Sequence, residues 1–320
     1  MPELPPAARD QFGVFTYEQA AAHGWSKSAL SHAVRQERLV RLRRGVYADS
    51  GVMAGSDAAA RRRQLIVRSC AAVLAERDSI ASHRSAAALA GLPILTTPAT
   101  PCVTIAPSRH GAIEGVHLHR AGLARPSDVV RAGLIERTST ARTAVDIARE
   151  VGVDEAVVVG DAALHRGMTD VHRLRAVAHR YSHWPGMRRA FEAIDRCDGR
   201  AESPLESISR LRIGESDLPT PQLQVEISDH RGQWLGRTDF FWEEFGVVGE
   251  ADGMEKYDGV GPSPLRAEKR RQERLEQAGL VVVRWGWADL RNLPEFAARL
   301  ERGLASAAVR PAADRLWIAA

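Results

Sequence analysis

Apolar residues change their spacing twice along the chain, and each spacing predicts different elements. Over residues 10 to 50 they form two short helical stripes and then an alternating run. Thr16 is placed to cap a helix through Tyr17, Ala20 and Ala21 that closes at Gly24. Ser26 is placed to cap a second, with Leu30, Ala33 and Val34 on one face. Leu39-Val40-Arg41-Leu42-Arg43-Arg44-Gly45-Val46-Tyr47 then alternates across a glycine, the pattern of a small two-stranded wing. From 57 to 195 helical periods fit Ala59–Glu76, Ala81–Ala90, Ser139–Val151, Asp154–Gly167 and Thr169–Arg180, with strand-like Cys102–Ile105 and Gly115–His119 between the second and third.

A polar turn over 197–204 opens the last pattern. Leu223–Ile227 and Trp234–Trp242 flank a polar Ser-Asp-His-Arg-Gly-Gln turn and predict a hairpin, with a third strand over Phe245–Ala251. A basic helix from Pro264 to Ala278 stops at Gly279 and yields to the apolar strand Leu280–Trp285. Three domains are expected, over 1–56, 57–197 and 198–320.

Composition narrows the class without naming it. Of 320 residues 44% are hydrophobic and 26% charged, which excludes a wholly disordered or fibrous chain. No stretch approaches the roughly 20 apolar residues of a membrane span, and the first residues lack a basic segment followed by an apolar run. Cys70, Cys102 and Cys197 lie far apart, fit no zinc spacing and are odd in number, so a reducing cytoplasm is expected. The net charge is only +4, which proves no anionic partner; the placement of the arginines is more informative.

Three acids of the last segment fall where a metal-dependent nuclease would need them. Glu206 lies on the opening helix, Asp239 near the end of the second strand and Glu250 at the end of the third. Glu250 and Asp252 are two apart and share a face of an extended strand. If the strands pair, Asp239 approaches Glu250, and such carboxylates can hold Mg²⁺ or Mn²⁺ through oxygen. The ion would lower the pKa of a bound water and stabilise charge on a phosphodiester. The bland reading makes Glu206 a helix-capping acid and the other two solvated strand-end acids.

These residues also carry a resemblance. The segments 201–207, Arg237-Thr238-Asp239-Phe240 and Gly249-Glu250-Ala251-Asp252-Gly253-Met254-Glu255-Lys256-Tyr257 resemble the PD-(D/E)XK nuclease superfamily, most closely a branch near very-short-patch-repair endonucleases. Glu268-Lys269-Arg270-Arg271 and the strand ending at Trp285 match the same branch. The resemblance covers the last third of the chain and implies a restriction-endonuclease-like α/β domain. In it Asp239, Glu250 and Glu206 serve the metal and Lys256 offsets transition-state charge. Lys269, Arg270, Arg271 and Arg274 track a nucleic-acid backbone. The superfamily places a lysine two residues after the second acid, where this chain has Asp252.

The first segment resembles the N-terminal winged helix of AbiEi-type antitoxins, through Gly13–Ala20 and Leu39–Tyr47; Ser82–Leu92 recurs in such proteins as well. This resemblance implies a promoter-binding repressor beside a nucleotidyltransferase-type toxin. Its second helix would present Lys27, Ser28, Ser31, His32 and Arg35 to the major groove of double-stranded DNA. Arg41, Arg43 and Arg44 on the wing would meet phosphates. The fold class expected is therefore α+β multidomain: a winged helix-turn-helix, a mixed α/β connector and a restriction-endonuclease-like domain. Two functions stay open, a Mg²⁺-dependent DNA endonuclease and an antitoxin-like repressor whose nuclease fold is inactive.

Other features invite blander readings. His117 and His119 share a strand face but show no third metal ligand in sequence. His83-Arg84-Ser85 reads as a helix start, Arg61-Arg62-Arg63 as a solvated face, and Trp285 and Trp287 as packing residues.

Overall fold

A computed structural model describes residues 3–76, 78–252, 262–307 and 315–319, with 262–268 described as backbone. The chain forms two compact units, Met1–Cys197 and Asp198–Ala320.

The first unit opens with β1 (Val14–Thr16), α1 (Tyr17–Ala22), α2 (Lys27–Arg35), β2 (Leu39–Arg43) and β3 (Val46–Asp49). Thr16 and Gln19 close a capping box on α1, and Ser26 accepts from the Ala29 N–H at 3.1 Å to start α2. Each cap of this kind stabilises its helix by about 1 kcal/mol. The strands pair antiparallel in the order β1-β3-β2 over buried Phe15, Ala20, Trp25, Leu30 and Leu39.

The unit continues through α3 (Ala58–Ala75), β4 (Ile80–Ala81), α4 (His83–Leu89), β5 (Cys102–Ile105), β6 (His117–Arg120), β7 (Val129–Ala132) and β8 (Ile135–Thr138). Helices α5 (Thr140–Glu150), α6 (Val153–His165), α7 (Val171–Arg180) and α8 (Met187–Asp195) follow. The second sheet runs β6-β5-β4-β8-β7, with β5 parallel to β6 and β4 parallel to β8. Ala81, expected to begin a helix, instead ends β4, because its backbone pairs with Val103 and Arg137 before the helix starts at His83. A single cluster joins Val14, Val46 and Ala48 of the small sheet to Val67 and Cys70 of α3 and to Ile135. The segments expected as separate domains over 1–56 and 57–197 thus share a core.

The second unit begins with α9 (Pro204–Gly214), capped by Ser203. Strands β9 (Gln222–Asp229), β10 (Trp234–Trp242) and β11 (Val247–Ala251) form an antiparallel meander. Helix α10 (Pro262–Gln277) leads to β12 (Val281–Trp285), parallel to β11, followed by α11 (Leu293–Ser306) and β13 (Trp317–Ala319). The sheet order is β12-β11-β10-β9-β13. Trp285 is buried against Phe240 and Phe296, as expected, whereas Trp287 is 38% exposed. A Cβ at Gly249 would lie 2.5 Å from the Trp285 ring, so only glycine fits there.

Candidate functional site

In the first unit α2 exposes Lys27, Ser28, Ser31, His32 and Arg35 together, while Leu30 and Ala33 face the core. The two faces follow from the 3.6-residue period. Lys27 lies over the Tyr17 ring at 5.5 Å, and Ser28 shares a 2.8 Å hydrogen bond with Ser26. On the hairpin, Arg41 and Arg44 are exposed, and among the described residues neither enters an ion pair. Arg43 is half-buried and donates to the carbonyls of Glu114 and Gly115 at 3.1 and 3.2 Å. Arg41, Arg43 and Arg44 line one open groove with Arg68 of α3. Arg68 was hidden from sequence reasoning, because nothing local to α3 shows that this helix meets the hairpin.

In the second unit the strands bring the expected acids near one another and then occupy them. The β10–β11 ladder ends at Phe240↔Gly249, and the next step of that register would set Asp239 opposite Glu250. Asp239 instead accepts the Ala251 N–H at 2.9 Å, so the side chain takes a bond that the ladder no longer supplies. Glu250 is buried and is held by Arg271 through two contacts of 3.0 Å. Arg271, expected to track a backbone, also donates to the Arg237 carbonyl and is turned into the unit. Asp252 pairs with Arg284.

Glu206 is buried and its Oε2 accepts from the Glu202 N–H at 2.8 Å and from Gln224 at 2.9 Å. Gln224 sits at φ +56° inside β9, a conformation costly for a non-glycine residue, and no local pattern marks it as a site residue. Glu206 and Asp239 line one narrow crevice with Arg200, Arg210 and Gln224. Lys269 and Arg270 are exposed on α10, Lys269 lying 3.9 Å from Glu273, and Arg274 is half-buried. Lys256 lies outside the described residues.

The donor set fits a hard cation poorly as it stands. Among the described residues, Glu206, Asp239 and Glu250 do not form a group of three ligand atoms within 4.8 Å of one another. Their charge is met by an arginine, an amide and backbone N–H groups.

Such grouping does occur in the first unit. Cys102, His117 and His119 form one set, and His83, His119 and Glu150 another. The third ligand that sequence did not reveal comes from across the sheet and from the end of α5.

Comparison with known proteins bears on the first unit. Residues 2–48 match the AbiEi antitoxin family of transcriptional regulators. The N-terminal segment is therefore AbiEi-like, as its residues implied. Two uncharacterized proteins of Mycobacterium tuberculosis, MT2308 of strain CDC 1551 and Rv2248 of strain H37Rv, are each 32% identical over 168 residues. The alignment takes 52% of this chain and 61% of theirs, so the chain spans about three fifths of the length of these relatives. A crystal structure of the RV2827C protein from Mycobacterium tuberculosis shares 18% identity, with a TM-score of 0.38 over 65% of this chain and 82% of that one. Among the described residues no helix is long and apolar enough to cross a membrane.

Proposed function

We propose that the protein is an AbiEi-like transcriptional regulator that binds double-stranded DNA through a winged helix at its N-terminus. The observation that carries this reading is the joint exposure of the α2 polar face and of Arg41 and Arg44. A helix with small polar and basic side chains suits a major groove, and arginines on a hairpin suit the flanking phosphates. Arg43 contributes to the shape of the groove, since its guanidinium is already held by two carbonyls. By resemblance to AbiEi-type antitoxins, a nucleotidyltransferase-type toxin is the candidate protein partner and the promoter of such a pair the candidate site.

For the second unit the reading is a PD-(D/E)XK-like platform without resident catalysis. The order of helix, antiparallel meander, helix and parallel strand supports the fold assignment. The Arg271 clasp on Glu250 and the Asp252 that replaces the expected lysine support the loss of chemistry. A second reading, Mg²⁺- or Mn²⁺-dependent endonuclease, draws on the register that aims Asp239 at Glu250 and on the crevice that Asp239 shares with Glu206. It needs Glu250 to leave Arg271.

One experiment addresses both readings. The full chain is titrated with duplex DNA from upstream of its own gene over a range of salt, then incubated with supercoiled plasmid and Mg²⁺ or Mn²⁺. Tight, salt-dependent binding without nicking is expected. No duplex binding at low salt would overturn the regulator, and nicking that Asp239→Asn abolishes would install the endonuclease.

A further inference from the structure

We propose that His83, His119 and Glu150 form a binding site for a divalent transition-metal ion, zinc by preference, in the first unit. The three come from different elements: His83 opens α4, His119 sits mid-strand in β6 and Glu150 ends α5. Glu150 Oε2 lies 3.2 Å from His83 Nε2 and 3.1 Å from His119 Nδ1. Two ligands about 2.0–2.1 Å from a tetrahedral zinc stand about 3.3 Å apart, so these donors are already spaced for one ion between them.

Both imidazoles face Glu150, and each keeps a buried Nε2 without a well-formed hydrogen bond. His83 Nε2 is buried and makes no hydrogen bond, although Glu150 is within ion-pair distance. His119 is 9% exposed, and its second nitrogen, Nε2, is also buried without a partner. The two rings stack at 3.7 Å between centroids, which sets both imidazoles beside the one carboxylate.

The surroundings resemble the outer shell of a metal centre. The other His83 nitrogen, Nδ1, is 3.0 Å from Ser82 Oγ, a contact that orients the ring. Arg149 pairs with Glu150 Oε1 and leaves Oε2 to the imidazoles. His83 holds φ +49°, a strained value for a non-glycine residue and of the kind that functional positions retain. Two nitrogens and one carboxylate oxygen suit zinc better than Mg²⁺ or Ca²⁺. Cys102 and His117 flank the far side of His119 and offer the rival donor set.

The site is independent of the DNA-binding reading and of the acids in the second unit, and its test keeps all three apart. Metal-stripped full-length protein is titrated with Zn²⁺ against a chromogenic chelator, and Co²⁺ is used as a spectroscopic probe. One equivalent should bind. His83→Gln, His119→Gln and Glu150→Gln should each weaken it by about a hundredfold or more, and Ser82→Ala by about tenfold. Asp239→Asn should leave it unchanged. The Co²⁺ protein should show visible d–d bands without a thiolate charge-transfer band. Because the spectrum is read on wild type, it stands even if a variant fails to fold; circular dichroism checks each variant. Absence of stoichiometric binding would overturn the proposal. So would a thiolate band lost in Cys102→Ser, with wild-type affinity kept in Glu150→Gln.

Discussion

The arginine groove of the first unit and the acid crevice of the second use the same side chain in opposite ways. Arg41 and Arg44 are exposed on the hairpin and enter no ion pair among the described residues, although Glu114 lines the same groove. Arg271 stands on a helix packed over a strand end, where buried Glu250 claims both of its terminal nitrogens. An arginine near a nucleic-acid-like site is thus available to a ligand only where the fold has not supplied the anion first. A run of basic residues cannot distinguish the two cases, because the deciding carboxylate lies 21 positions away in sequence and on another element.

The largest effect should come from breaking the clasp. Arg271→Met leaves Glu250 buried without a counter-charge, which should lower the stability of the second unit by about 3 kcal/mol or more. Urea unfolding followed through the buried Trp285 would read this. The freed carboxylate should also make melting of the second unit respond to Mg²⁺, which the wild type should not do. A wild-type shift at millimolar Mg²⁺ would show that the clasp is no barrier.

Removing the outward charges should act on binding and spare the fold. Arg41→Ala with Arg44→Ala should reduce the slope of log affinity against log salt by about 2, one phosphate for each arginine. Stability should stay within about 0.5 kcal/mol of wild type, since both side chains are exposed. An unchanged slope would take the hairpin out of the interface.

The smallest effect belongs to an arginine that is exposed and yet paired. Arg125 meets both oxygens of Glu136 at 2.9 and 2.8 Å, and this hydrogen bonding holds the Glu136 carboxyl below its ordinary 4.5. A carboxyl with a lowered folded pKa adds stability above its unfolded pKa and loses it as pH falls through the folded one. The pair is solvent-screened, so Arg125→Ala should cost well under about 1 kcal/mol at neutral pH. An NMR titration should show Glu136 moving up toward 4.5. A large stability loss, or an unmoved titration, would contradict the pairing.

Much of the backbone was legible where periodicity was strong. Trp234–Trp242 forms the hairpin strand expected there, and Ser26 starts α2 as capping chemistry requires. The β7–β8 hairpin was not legible, because Arg131, Glu136 and Arg137 break the alternation of so short a pair. Helices α8 and α11 were missed, as was β13, which earns its place by adding Trp317 to the sheet core. At the sites, residue types pointed to Asp239 and Glu250 but could not show that Arg271 already occupies one of them. His117 and His119 were visible as a pair. His83 and Glu150 were not, since folding alone brings positions 83, 119 and 150 together.

The core shared by the small sheet and α3 sets a limit on how this gene can be cut and rejoined. Val14, Val46 and Ala48 bury their side chains against residues that come later in the chain, and the turn at Gly133 admits no side chain beside the Asp10 carbonyl. A cassette ending near residue 56 would carry the α2 face, the hairpin and the core around Phe15, Trp25 and Leu30, but would leave behind the α3 and β8 side chains that cover Val14, Val46 and Ala48. Moved without them, those three residues would be exposed unless the new neighbour supplied a matching apolar face. The unit Met1–Cys197 holds both faces of that cluster.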